Sequence, residues 1–186
     1  MKVCTACTAL TALLIAMPIS MAQDASRRIA RGSPGSCPGG KAVVGDIELA
    51  AIPLSLDQLV RMSQLIIVEG TVIAVLPSIN SNPSFASSVE TDSLISVEQV
   101  LYGTLPTGLH TVALAQQGGT TAQCELVVPV DPLVKQNEQY FLFLWPDNRK
   151  AEPPNASGAP RYYAVGMWSG KAKIENGYLL SISGRS

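Results

Sequence analysis

Few side chains in this sequence are of types that do chemistry, and their spacing suits chemistry poorly. His110 is the one histidine among 186 residues. General-base work needs a nucleophile within hydrogen-bond reach, and a zinc site needs further ligands. His110 instead sits beside Thr111 at the start of a strand-like run, which reads as a strand-end polar residue. Gly166-Met167-Trp168-Ser169-Gly170 distantly approximates a nucleophile elbow, but G-x-S-x-G needs different spacing and a helix after the serine. Ser169 could pair with Lys171 or Lys173 as a serine–lysine couple, and strand alternation favours Lys171 as its neighbour. A plain turn is the simpler reading. Glu90, Asp92 and Glu98 offer oxygen ligands, yet no Asp-x-Asp-x-Asp loop accompanies them, so solvent-facing strand positions account for them. Gly39-Gly40 and Gly118-Gly119 lack the strand, lysine and helix of a phosphate loop and read as turns. No catalytic residue, metal site or cofactor is expected from these residues.

Binding is the better expectation. Trp145, Tyr162 and Trp168 flank a long loop from Pro146 to Pro160, and aromatics at strand ends can stack a ligand. These three are the candidate ligand-binding residues. Tyr140, Phe141 and Phe143 read as core.

Cysteine usage points to the compartment. Cys4 and Cys7 form a C-x-x-C. They precede Leu10–Met17, the apolar middle of a segment that starts with Lys2 and ends in Ser20-Met21-Ala22. A basic start, a short apolar run and small residues at −3 and −1 make a secretory leader, too short to span a membrane. Cleavage after Ala22 exposes Gln23 and leaves Cys37 and Cys124 as the disulfide candidate, since oxidising compartments favour pairing. The expected location is secreted or periplasmic, with no membrane span after cleavage.

Composition sets the remaining bounds. Hydrophobic residues make up 47% and charged residues 15% of the chain, the balance of a folded domain. The formal net charge is −1. Nucleic acid is not an expected partner, because phosphate neutralisation requires a basic surface. An unknown protein or envelope component is. Arg27, Arg28, Arg31 and Lys41 against Asp24 make the start of the mature chain basic. Read plainly, this is a solvated tail.

The elements that must position these residues are mostly strands. Residues 1–22 are the leader, 23–53 a Gly- and Pro-rich flexible segment, and 54–186 the folded domain. Ser55 and Gln58 can form a capping box for one short helix. Leu65–Val75 is a long apolar strand in which Gly70 marks a bend or bulge. Val89–Leu101 alternates apolar and polar, the pattern of a sheet with one wet face. Strands follow at about Leu109–Ala115, Cys124–Val130, Gln139–Trp145, Tyr162–Trp168 and Lys171–Ser183, the last broken by an Asn176-Gly177 hairpin turn. With hardly any helix between them, the chain reads as all-β, a small antiparallel OB-like β-barrel behind an N-terminal tail.

The order of a short helix, Leu65-Ile66-Ile67-Val68-Glu69-Gly70-Thr71-Val72, then Ile95–Gly103, a Gly-Gly turn and Asn137–Leu144 resembles the OB-like barrel of the netrin and tissue-inhibitor-of-metalloproteinase group. Small exported bacterial proteins of unassigned function are similar. The resemblance spans roughly Leu54 to Leu180. In those inhibitors the mature N-terminal cysteine contacts the protease metal, whereas maturation here exposes Gln23. Metalloproteinase inhibition is therefore not carried over, and no functional residue of the group has a matching position. The expected function is a non-catalytic binding module. Inhibition of a secreted hydrolase through the N-terminal segment and a serine-type hydrolase at Ser169 or His110 are the alternatives.

Overall fold

The apolar, β-branched run at Ile66–Val75 (β2) is the strand around which the others assemble. The structure, a computed structural model, describes residues 40–43, 57–58, 61, 64–80, 88–148, 157–166 and 170–181. The remaining strands are Gly40–Val43 (β1), Ile79–Asn80 (β3), Val89–Tyr102 (β4), Thr111–Gln117 (β5), Gly119–Thr120 (β6) and Cys124–Val127 (β7). Gln139–Pro146 (β8), Arg161–Ala164 (β9), Lys171–Glu175 (β10) and Tyr178–Ser181 (β11) complete the order. Of the expected helix, Asp57 and Gln58 are helical, Arg61 is in a turn and the other residues lie outside the described ones.

Five strands close on themselves. β2 pairs with β4, β4 with β5, β5 with β9, β9 with β8, and β8 returns to β2. In this ring only β5 and β9 run parallel. This is an OB-like barrel in an almost entirely β chain. Closure depends on β8 changing partners along one edge. Its first half, Gln139 to Leu142, pairs with β10, and its last residues, Leu144 to Pro146, pair with β9. β10 and β11 thus form a two-stranded wing off the ring.

Alternation puts Val68, Val72, Ile95, Leu114, Leu142 and Leu144 inside, where all are fully buried. The core extends through the ring because every strand contributes alternate apolar positions. Gly70 sits where the pairing of β2 with β4 shifts register. A methyl group there would lie 2.5 Å from the Ser96 carbonyl oxygen, so the bulge requires a residue without Cβ. Asn176 (φ 52°) and Gly177 (φ 79°) form the left-handed two-residue turn that joins β10 to β11 in register.

Two features depart from the sequence reading. Gly40–Val43, within the segment read as flexible, pairs parallel with β7, setting Gly40 opposite Cys124. That pairing depends on tertiary contact, since Gly-Gly has no strand propensity of its own. The strand expected at Tyr162–Trp168 ends at Ala164.

Candidate functional site

The first part of the β4 face expected to be wet is closed by one side chain, while Glu98 further along stays exposed. Arg161, at the start of β9, pairs in register with Ala113 of β5. Small alanines at 113 and 115 leave room for the guanidinium to reach β4. Its Nε donates to both Asp92 oxygens at 3.0 Å, Nη1 donates to Asp147 at 2.8 Å and Nη2 to Glu90 at 2.6 Å. The Arg161 side chain is 8% exposed and that of Asp147 is 1% exposed. Burial works against the guanidinium charge, but its hydrogen bonds to Asp92 and Glu90, with the charge of those carboxylates, outweigh it and raise the pKa. One cation therefore ties β4, the end of β8 and β9 together. Glu90 and Asp92 are clamp residues rather than solvated strand positions.

A second cluster ties the irregular segment at residues 128–138 to the barrel, with Val134 in the core. Gln116 holds this segment from β5, donating to the Pro132 carbonyl at 3.2 Å and accepting from Val134 N–H at 3.0 Å. Lys171 donates to the same carbonyl at 3.2 Å and sits 2.5 Å from Asp131 Oδ1, both side chains almost wholly buried. Burial pushes the Asp131 carboxyl up and Lys171 down, each opposed by the partner's charge. The Tyr140 hydroxyl accepts from Lys135 N–H at 3.2 Å and donates to Glu138 at 2.5 Å. Burial, then this bond to Glu138, raises the Tyr140 pKa. Glu138 in turn is held below the ordinary carboxylate range, chiefly by the Tyr140 hydroxyl and also by Lys173.

Sequence-derived candidates fall in different places. Trp145 is 7% exposed and packs on the outer side opposite Tyr163, while Tyr162 is 5% exposed and belongs to the core. Neither presents an open ring face. Trp168, Ser169 and Cys37 lie outside the described residues. Lys171 and Lys173, opposite Leu142 and Tyr140, share one face of β10, so alternation does not separate them as expected. Lys171 is committed to Asp131, and Lys173 to Glu138 and Glu175. His110 is exposed, and its carbonyl accepts from Val97 N–H at 2.8 Å. Cys124 is buried at the start of β7. Among the described residues no group of three His, Cys, Asp or Glu side chains is placed to hold a metal ion, and no helix is long and apolar enough to cross a membrane.

Sequence reasoning missed Arg161, Asp147 and Asp131. The available signal was Ala113 and Ala115 facing the polar parity of β4, since small residues in a strand invite a long side chain from the next one. Ser93 is also buried, and its hydroxyl finds no protein partner. The chain matches no known protein family, no curated protein and no solved structure.

Replacing Arg161 with Met leaves three carboxylates without their cation, and removing one partner of a buried pair costs about 3–5 kcal/mol. Urea unfolding of Arg161→Met should show that loss, with Arg161→Lys losing less because charge is kept and the fork is not. Stability within about 1 kcal/mol of the parent for Arg161→Met would remove the clamp from the account.

The Glu138 contact has a signed pH dependence. Its folded pKa is lowered, so the unfolded chain binds more protons just below the ordinary glutamate value. The stabilisation is complete above that value and drains away as pH falls through the lowered one. In Tyr140→Phe, the Glu138 midpoint followed by carboxyl NMR should move up towards normal. An unmoved midpoint would mean that the hydroxyl is not its cause.

Proposed function

We propose that this chain is an exported, non-catalytic binding module that recognises a protein or envelope component. One observation carries the reading: among the described residues, the buried ionisable side chains of both clusters are engaged with one another. Arg161 with its three carboxylates and Lys171 with Asp131 hold strands together, and a turnover site needs such groups turned towards a substrate. Exposed apolar side chains supply the alternative use of the surface. Val100, Leu101 and Tyr102 project from the last residues of β4, next to the strand's exit at Gly103. The Arg161 cluster sets three carboxylates against one cation, and that net negative charge opposes a phosphate backbone, which supports a protein partner over nucleic acid.

Likeness to the netrin and metalloproteinase-inhibitor barrel enters this proposal as architecture alone. Kinetics decide between binding and catalysis. The protein purified from a secreting host should show no saturable turnover on a panel of esters, amides and glycosides. Turnover abolished by Ser169→Ala or by His110→Ala would replace the binding reading with a hydrolase.

Export brings an oxidising compartment, and we assign Cys37 and Cys124 to one bridge there. Support comes from β1, where Gly40 pairs with Cys124 and Cys37 lies three residues upstream. Three extended residues reach about 10 Å, enough to fold back onto Cys124. Closing so long a loop is worth on the order of 4 kcal/mol on the chain-entropy model. Alkylation without reductant should therefore label neither cysteine, and Cys37→Ser should lower unfolding stability. Two reactive thiols in the exported protein would refute the bridge.

A further inference from the structure

The wing formed by β10 and β11 ends in a strand that natural sheets usually protect. β11 pairs with β10 on one side, and among the described residues nothing pairs with its other edge. Open edges are commonly guarded by Lys, Pro or a bulge, because unpaired N–H and C=O groups template another strand. Tyr178-Leu179-Leu180-Ser181 has none of these guards. Tyr178 is 72%, Leu179 58% and Leu180 42% exposed, so three successive apolar side chains cover both faces of the edge.

Register and charge select the occupant. A two-fold axis normal to the sheet can place a second β11 antiparallel to the first, and residues directly opposite must then share a face. Tyr178 and Leu180 lie on the face of Glu175 and Lys173, while Leu179 lies on the face of Ile174. Three two-fold registers are therefore open, centred on Tyr178, Leu179 or Leu180. Centring on Tyr178 puts Glu175 of both copies in one cross-strand row, and centring on Leu180 does the same with Lys173. Both place like charges at the two ends of a row. Centring on Leu179 sets Leu179 against its own copy and Tyr178 against Leu180. Each row then runs Glu175, Tyr178, Leu180, Lys173, with opposite charges at its ends and an aromatic–aliphatic pair in the middle.

We propose that the protein self-associates through β11, joining two barrels by an antiparallel β11–β11 pair centred on Leu179. The four-strand sheet β10–β11–β11–β10 bridges the two barrels and covers Tyr178, Leu179 and Leu180. A four-residue edge is far below the roughly 1,600 Å² of a standard stable interface, so the dimer is concentration-dependent. This site is separate from the surface offered above for binding, and the two fail independently.

Sedimentation of the full chain, as processed by a secreting host, tests it from micromolar to millimolar concentration. The weight-average mass should climb towards that of a dimer. Leu179→Lys and Leu179→Glu, at an exposed position, each put like charges face to face on the axis and should each weaken association by about tenfold or more. Mixed in equal amounts, the two variants should recover dimer, because the introduced ammonium of one chain then meets the introduced carboxylate of the other. Unchanged melting temperatures confirm that the variants are folded, and Leu179→Thr, which keeps strand propensity, should also weaken association. A wild-type chain that stays monomeric throughout overturns the proposal. So does association indifferent to Leu179→Lys, or a mixture that fails to dimerise.

Discussion

Closing a five-stranded sheet requires its last strand to be held on both edges, and here that strand is four residues long. β9 makes three register pairs with β5 and three with β8, which is little backbone to seal a barrel. The seam is reinforced by a side chain. Arg161 stands at the first position of β9 and reaches across alanines to Asp92 and Glu90 on β4, while Asp147, just past β8, receives its other arm. The guanidinium fork suits this role, since it is planar, always charged and offers donors in several directions at once. Its Asp147 contact is doubled by the backbone, where Asp147 N–H donates to the Arg161 carbonyl at 2.8 Å. Side chain and main chain thus close the same joint.

The second cluster uses polar groups differently. There the segment from Val128 to Glu138 is an irregular plug, and irregular backbone brings carbonyls and N–H groups that burial leaves without water. Gln116 answers them from β5 and Lys171 from β10, both reaching the Pro132 carbonyl. Lys171 then needs a counter-charge, and Asp131 supplies it from the plug itself. A buried lysine in a small barrel is therefore explained by the loop it holds, not by chemistry it performs. Removing the pair in favour of apolar residues would have left the Pro132 carbonyl with one donor fewer.

Local patterning carried most of the architecture. Ile66–Val75 and Gln139–Pro146 are legible because long β-branched and aromatic runs favour strands, even though β2 leaves Ile73 and Val75 exposed, and Asn176-Gly177 because only residues tolerant of positive φ turn a two-residue hairpin. The bulge at Gly70 was legible for the same reason. What could not be read were pairings between segments far apart in the chain. Arg161 lies 69 residues from Asp92, and nothing in either neighbourhood announces the other. β1 is a similar case: Gly40–Val43 has a poor intrinsic strand pattern, and only contact with β7 orders it. Candidate site residues fared worse than strands. Trp145 and Tyr162 sit at strand ends where exposure is common, but closure of the barrel covers them.

Once the ionisable groups of the interior are assigned to closure, the recognition proposed for this chain falls to its surface. Barrels of this type commonly bind along the second and third strands, here β4 and β5. In this chain that face is occupied by its own arginine, with Glu90 at the rim, so an anionic ligand would meet negative potential and a ligand needing a free guanidinium would have to break a buried clamp. Exposed apolar side chains stand instead on the second half of β2 at Ile73 and Val75, at the end of β4 and on the wing at β11. The wing at β11 lies off the ring, where adding a partner disturbs none of the pairings that seal it. A short fifth strand held by a single arginine leaves little tolerance for binding that pulls on the ring itself. The same constraint that places Arg161 therefore also decides where this molecule can accept contact.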